Sequence, residues 1–179
     1  MIRIGQAKSF TITVNPSTVP TIAGIKTLCA GSSSVSYTTD ASMTDYTWSV
    51  SPGGSITSGA GTNAVKVNWN SAGAQNVQVN YTNKTGCRAS ANSTCQVTVN
   101  SLPVPVISGV ATVCAGSTGV IYSTEPFMTD YAWSVSPGGT ITSGAGTMAI
   151  VVTWDSPGAK TVSVNYKNNN GCTDRKSVV

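Results

Sequence analysis
The chain has 179 residues, ten Lys and Arg against six Asp and Glu, no histidine and a net charge of +4. Charged residues make up only 9%, against roughly 25% in an average soluble protein. The basic residues are scattered, which argues against a nucleic-acid footprint, and no apolar run approaches the length of a membrane helix. The chain is 40% hydrophobic, much of it Val, Ile, Trp and Tyr, so it is not a disordered polymer.

In chain order, MIRIGQAK is too short and polar for a signal-peptide core, so the chain reads as a piece of a longer secreted protein or one that has lost its export signal. Residues 9–14 (SFTITV) alternate as a strand with Phe10, Ile12 and Val14 on one face. Two prolines, Pro16 and Pro20, then form a stiff linker. Residues 21–28 read as a strand ending at Cys29, followed by strands around Val35 and Tyr37, around Tyr46, Trp48 and Val50, over residues 55–58, around Val65 and Trp69, around Val77 and Tyr81, and over residues 94–99.

The pattern then returns. Trp48 and Trp133, Cys29 and Cys114, and Cys87 and Cys172 each stand 85 residues apart, and about 40 of the 64 positions from Gly24 to Cys87 recur identically from Gly109 to Cys172. A unit of this size folds as a small domain. The expected fold is all-β, with two tandem antiparallel β-sandwich domains in an extended arrangement. The divisions are 1–15 as an orphan closing strand or donor strand, 16–100 as the first domain, and 101–179 as a second domain lacking its own last strand. Under the 85-residue shift, Phe10, Ile12 and Val14 overlie Cys95, Val97 and Val99 of the first domain's last strand.

The residues that recur are Cys-Ala-Gly-Ser, Met-Thr-Asp-Tyr-x-Trp-Ser-Val, Gly-Gly-x-Ile, Gly-Ala-Gly-Thr, Val-x-Val-Asn-Tyr and Gly-Cys. This pattern resembles the PKD-like, immunoglobulin-like repeats of large surface proteins of Bacteroidetes, which include adhesins and gliding-associated proteins exported by the type IX system. The resemblance implies a secreted repeat module. It departs from the better-known Trp-Asp-Phe-Gly-Asp-Gly motif, for which this chain has Trp48-Ser49-Val50-Ser51-Pro52-Gly53-Gly54, so no role of those acidic residues carries over.

Five cysteines and no histidine cannot complete a zinc site in each domain. The repeated cysteines read instead as one disulfide per domain, Cys29–Cys87 and Cys114–Cys172, with Cys95 left as a buried free thiol at a core-facing position. Gly59-Ala60-Gly61-Thr62-Asn63-Ala64 fits a dinucleotide pattern, but AVKVNW follows as a strand where the chemistry needs a helix, so the glycines are turn residues. Asp45 and Asp130 suit turns better than calcium. Trp48, Trp69, Tyr37 and Tyr81 fall in phase with the core valines, which leaves Tyr46 and Tyr131 as the aromatics available for surface binding. Asn83 and Asn92 head glycosylation patterns.

Without histidine, and with sparse acids, no catalytic constellation emerges, and no cofactor or metal is implied. The function expected is a non-enzymatic extracellular structural or adhesive module. Its partners would be neighbouring repeats or identical subunits joined head to tail through residues 9–14, with no nucleic acid and no membrane insertion. The alternative is a glycan- or protein-binding accessory module of a larger secreted protein.

Overall fold
The computed structural model describes residues 8–174. Residues 1–7, with Arg3, and residues 175–179, with Arg175 and Lys176, lie outside them. Every regular element among the described residues is a β-strand. The first sandwich contains β1 (Ala23–Gly24), β2 (Thr27–Cys29), β3 (Ser32–Thr38), β4 (Thr44–Val50), β5 (Gly54–Ser58), β6 (Ala64–Trp69), β7 (Gly73–Thr82) and β8 (Ser93–Asn100). One sheet has the order β1-β3-β6-β5 and the other β2-β8-β7-β4. The second sandwich repeats this with β9 (Ser108–Gly109), β10 (Ser117–Ser123), β11 (Thr129–Val135), β12 (Gly139–Ser143), β13 (Ala149–Trp154) and β14 (Val162–Lys167), ordered β12-β13-β10-β9 and β11-β14.

Alternation builds the core. Tyr37, Val65, Val67, Trp69, Val77, Val79, Val97 and Val99 are each at most 2% exposed, because every second residue of these strands faces the opposite sheet. Trp69 Nε1 donates to the Tyr37 hydroxyl at 3.2 Å, which donates to the Ile25 carbonyl at 2.9 Å. The two rings meet edge to face, and Tyr122 and Trp154 repeat the arrangement. The strand expected over residues 21–28 divides in two: β1 joins one sheet and β2 the other. Gly24 lies against the Tyr37 ring, so the chain crosses between sheets there. β2 runs parallel to β8, an exception to the expected antiparallel pairing.

The expected pairings Cys29–Cys87 and Cys114–Cys172 are corrected by the structure. The bond joins Cys29 to Cys172, across the two domains, with Cα atoms 5.7 Å apart. Cys87, Cys95 and Cys114 are free. Direction of chain explains this. Cys29 pairs with Asn100 beside the Gly73 end of β7, whereas Cys87 follows the Thr82 end, where Arg88 pairs with Thr82. The ten residues of β7 separate them by roughly 30 Å, far beyond the roughly 7 Å that a disulfide spans. Cys172 sits at the end of the second domain that receives the linker, within reach of Cys29.

A carboxylate anchors each linker. Asp40 accepts from the Thr21 backbone N–H at 3.0 Å and from the Tyr81 hydroxyl at 2.8 Å. Glu125 does the same work in the second domain, with Val106 N at 3.0 Å and Tyr166 Oη at 2.9 Å. The Thr21 backbone hydrogen bond leads in holding the Asp40 carboxyl below its ordinary range. Burial alone would raise Glu125, but the hydrogen bonds of Thr124, Tyr166 and Val106 outweigh it and the net shift is downward. Burial, then Glu125, pushes the Tyr166 phenol up to about 12.

Two outcomes follow. Depressed carboxylates contribute stability above their unfolded pKa, near 4, and lose it as pH falls through the lower folded value. Asp40→Asn therefore flattens the acid limb of the stability curve and costs about 1 kcal/mol at neutral pH, an estimate reduced for exposure; urea titrations at several pH values check it. A Cβ on Gly54 would lie 2.6 Å from Trp69 ring carbons that are fully buried. Gly54→Ala accordingly destabilises the first domain by about 1–3 kcal/mol and lowers its calorimetric transition by several degrees. An unmoved transition would count against this packing.

Candidate functional site, an open sheet edge
The two domains differ in sheet pairing at one edge. In the first, β8 covers the edge of β7, with Val99 opposite Gly73 and Cys95 opposite Val77. In the second, among the described residues, β14 pairs only with β11. Three local consequences follow from the uncovered edge. β7 has ten residues but β14 only six, its first four counterpart positions lying outside any strand. The counterpart of β2, residues 112–114, is not a strand. Val77 and Val79 are fully buried, whereas Val162 and Val164 are half-buried.

What remains is a groove of about 620 Å³, bounded by Val110, Val113, Cys114, Tyr122, Trp154 and Val162. Val110 is 54% and Val113 38% exposed. Unpaired backbone groups beside apolar side chains make a template for an added strand.

Residues 9–14 are not hydrogen-bonded into a sheet. The strand expected there is absent because a strand needs a paired neighbour, and no described residue pairs with it. Phe10, Ile12 and Val14 stand 88%, 71% and 86% exposed. The structure thus shows an apolar segment without a sheet and a sheet edge without its outer strand, and does not bring them together within one chain. Just after the segment the chain is held: Asn83 Nδ2 donates to the Pro16 carbonyl at 3.1 Å, and the Cys87 thiol lies 3.6 Å from the Asn15 carbonyl oxygen.

The remaining candidates take structural places. Tyr46 and Tyr131, expected as surface-binding aromatics, have their hydroxyls engaged: Tyr46 donates to the Asp40 carbonyl at 2.8 Å and Tyr131 to the Glu125 carbonyl at 2.7 Å. Each ring packs edge-on against Tyr81 or Tyr166, so both brace the linker end of their domain. Asp45 and Asp130 adopt positive φ, 51° and 54°, at bulges in β4 and β11. Among the described residues no group of three or more acids or cysteines is placed to hold a metal ion. Gly59 makes the turn between β5 and β6 at φ 82°. Asn83 is 8% exposed and accepts from Thr85 N and Cys87 N, so its side chain shapes a turn. Cys95 is buried with a free thiol.

Sequence reasoning passed over Phe127. It is 86% exposed at φ 64°, where the first domain has Ser42 at φ 62°. The signal was a departure from the repeat, an aromatic replacing a serine in a turn.

The profile of the PKD-like domain family matches residues 15–97 and again 101–179. No curated protein sequence matches the chain significantly. Among solved structures it is similar to domains 4 and 5 of the S-layer protein SbsC, at 16% identity and TM-score 0.35, covering 85% of this chain and 94% of that one. It is also similar to fibronectin(III)-like modules of Clostridium thermocellum CbhA, at 13% identity and TM-score 0.35, covering 87% and 88%. A third is the Bacteroides ovatus protein SGBP-B in complex with a mixed-linkage heptasaccharide, at 15% identity and TM-score 0.34, covering 90% and 43%. Likenesses this distant carry no functional argument. The family profile spans most of the chain in two copies, in register with the internal repeat and with the two sandwiches, and the chain belongs to the PKD-like domain family.

Proposed function
We propose that this chain is a non-enzymatic structural repeat module of the cell exterior, part of a rod or filament, whose domains complete one another by strand addition. Residues 9–14 of one copy enter the open groove of the second domain of the next copy and pair with β14 as β8 pairs with β7. The carrying observation is the groove itself, at the position that β8 fills in the first domain. The register supports the same occupant. Carried over from β8, Val14 falls opposite Gly158, Ile12 opposite Lys160 and Phe10 opposite Val162, each the counterpart of an observed pair. Phe10, Ile12 and Val14 would then share the inward face that Cys95, Val97 and Val99 occupy.

A contact between the front of one molecule and the back of another does not close on itself and extends into a fibre. The prolines of the two linkers favour stiff connections between such units. A disulfide, and a surface kept polar by Ser, Thr and Asn, support work outside the cell, where thiols oxidise. Membership in a domain family that resembles bacterial surface repeats supports the same location.

The test is association of the 179-residue chain at high concentration in the presence of a mild thiol reductant, followed by light scattering. Oligomers growing with concentration are expected. Phe10→Asp with Ile12→Asp should leave the chain monomeric, while its thermal unfolding stays unchanged because both side chains are exposed in the single chain. A wild-type chain that remains a strict monomer would sink the reading.

A further inference from the structure
The bond between Cys29 and Cys172 is built around the short stretch Asn100 and Ser101, where β8 leaves the first domain for the linker. On one side Cys29 pairs with Asn100, and Ala30 N donates to the Asn100 carbonyl at 2.8 Å. On the other side Asn168 Nδ2 donates to the Ser101 carbonyl at 3.1 Å, while Asn168 Oδ1 accepts from Cys172 N at 3.0 Å. The end of a closing strand therefore gathers both sulfurs: one from the domain that the strand completes, the other from the domain it leads into.

The same construction exists, half built, at Asn15 and Pro16. Asn83 Nδ2 donates to the Pro16 carbonyl at 3.1 Å and Asn83 Oδ1 accepts from Cys87 N at 2.9 Å, which repeats the Cys172 half of the junction. The other half is not brought there by any described residue. Its counterpart sulfur is Cys114, which is exposed on the wall of the open groove. Cys87 and Cys114 belong to opposite ends of the two-domain unit: Cys87 follows β7 at the end where the first linker arrives, and Cys114 stands where the second domain would release its closing strand.

We infer that Cys87 of one copy and Cys114 of the next form a disulfide that locks the head-to-tail contact, once residues 9–14 occupy the groove. The inference rests on the strand-addition reading and adds to it a covalent clasp of the kind the chain already makes between its own domains. With the strand seated, Asn15 of the incoming copy lies opposite Cys114 as Asn100 lies opposite Cys29. Cys87, already 3.6 Å from the Asn15 carbonyl oxygen, is thereby carried to Cys114. The step is an ordinary exchange. Two thiols become one S–S bond, and their two protons and two electrons pass to a small-molecule disulfide whose own S–S bond is reduced to two thiols. Cys95 is excluded from this chemistry by its burial at 5% exposure.

The experiment uses the full chain with its Cys29–Cys172 bond intact, incubated with oxidised glutathione and resolved by electrophoresis without reductant. A ladder in steps of 18.2 kDa is expected, collapsing on reduction, with peptide mapping joining the Cys87 and Cys114 peptides. Cys87→Ser and Cys114→Ser should each abolish the ladder. Mixed together, those two variants should give a covalent dimer and nothing larger, since each supplies only one usable end. Phe10→Asp with Ile12→Asp, in the chain with all cysteines, should lower cross-linking by about tenfold or more, because the strand no longer concentrates the two thiols at one place.

Association by light scattering without a Cys87–Cys114 bond would overturn the clasp and leave strand addition standing. Neither association nor cross-link would overturn both. A Cys87–Cys87 or Cys114–Cys114 bond, or a ladder indifferent to Phe10 and Ile12, would overturn the strand-guided geometry proposed for the clasp.

Discussion
Pairing of β8 along the free edge of β7 is the contact on which the rest of the first domain depends. It places Cys95, Val97 and Val99 against the core, extends β7 to ten residues, and gives Thr27–Cys29 a parallel neighbour. Among the described residues of the second domain no strand takes that place. Its β14 shortens, its counterpart of β2 loses strand geometry, and valines that are sealed in the first domain become half-buried. Backbone hydrogen bonding and apolar burial are coupled here: removing one strand leaves both its ladder partners and its side-chain pocket unsatisfied.

The 85-residue repeat aligns the segment at residues 9–14 with β8, the strand that covers in the first domain the edge that stays open among the described residues of the second. The closing strand β8 belongs by packing to the first domain and by covalent connection to the second. The carboxylates Asp40 and Glu125 and the tyrosines beside them tie the linker end to the domain that follows it. The disulfide across the junction adds to that constraint.

Much of this was legible in the sequence. The alternation of Val65, Val67 and Trp69 and of Val77, Val79 and Tyr81 marked the strands and their inward faces, because a pleated strand has a period of two. The overlay of Phe10, Ile12 and Val14 on Cys95, Val97 and Val99 identified the unpaired segment. Tyr46 was harder. Its position at the start of a strand suggested exposure, but its hydroxyl bonds to a carbonyl six residues earlier, and that contact depends on how the turn folds back.

The cysteines separate what the sequence determined from what needed the fold. A spacing of 85 residues established that Cys29 and Cys114 are equivalent, and Cys87 and Cys172 likewise, but the repeat permits a bond within a domain or between neighbours equally well. Five strands, β3 to β7, intervene between Cys29 and Cys87, and in an antiparallel sandwich an odd number of reversals leaves two residues at opposite ends. That parity could have been counted. That Cys172 comes within bonding distance of Cys29 could not, because it depends on how the linker carries the second domain against the end of the first. Sequence alone determined the repeat and, from β3 to β8, the strands and their inward faces; only tertiary structure decided that residues 9–14 stay unpaired, that residues 21–28 divide between two sheets, and which end of each sandwich a residue occupies, since residue spacing records distance along the chain and not the direction in which the chain is travelling.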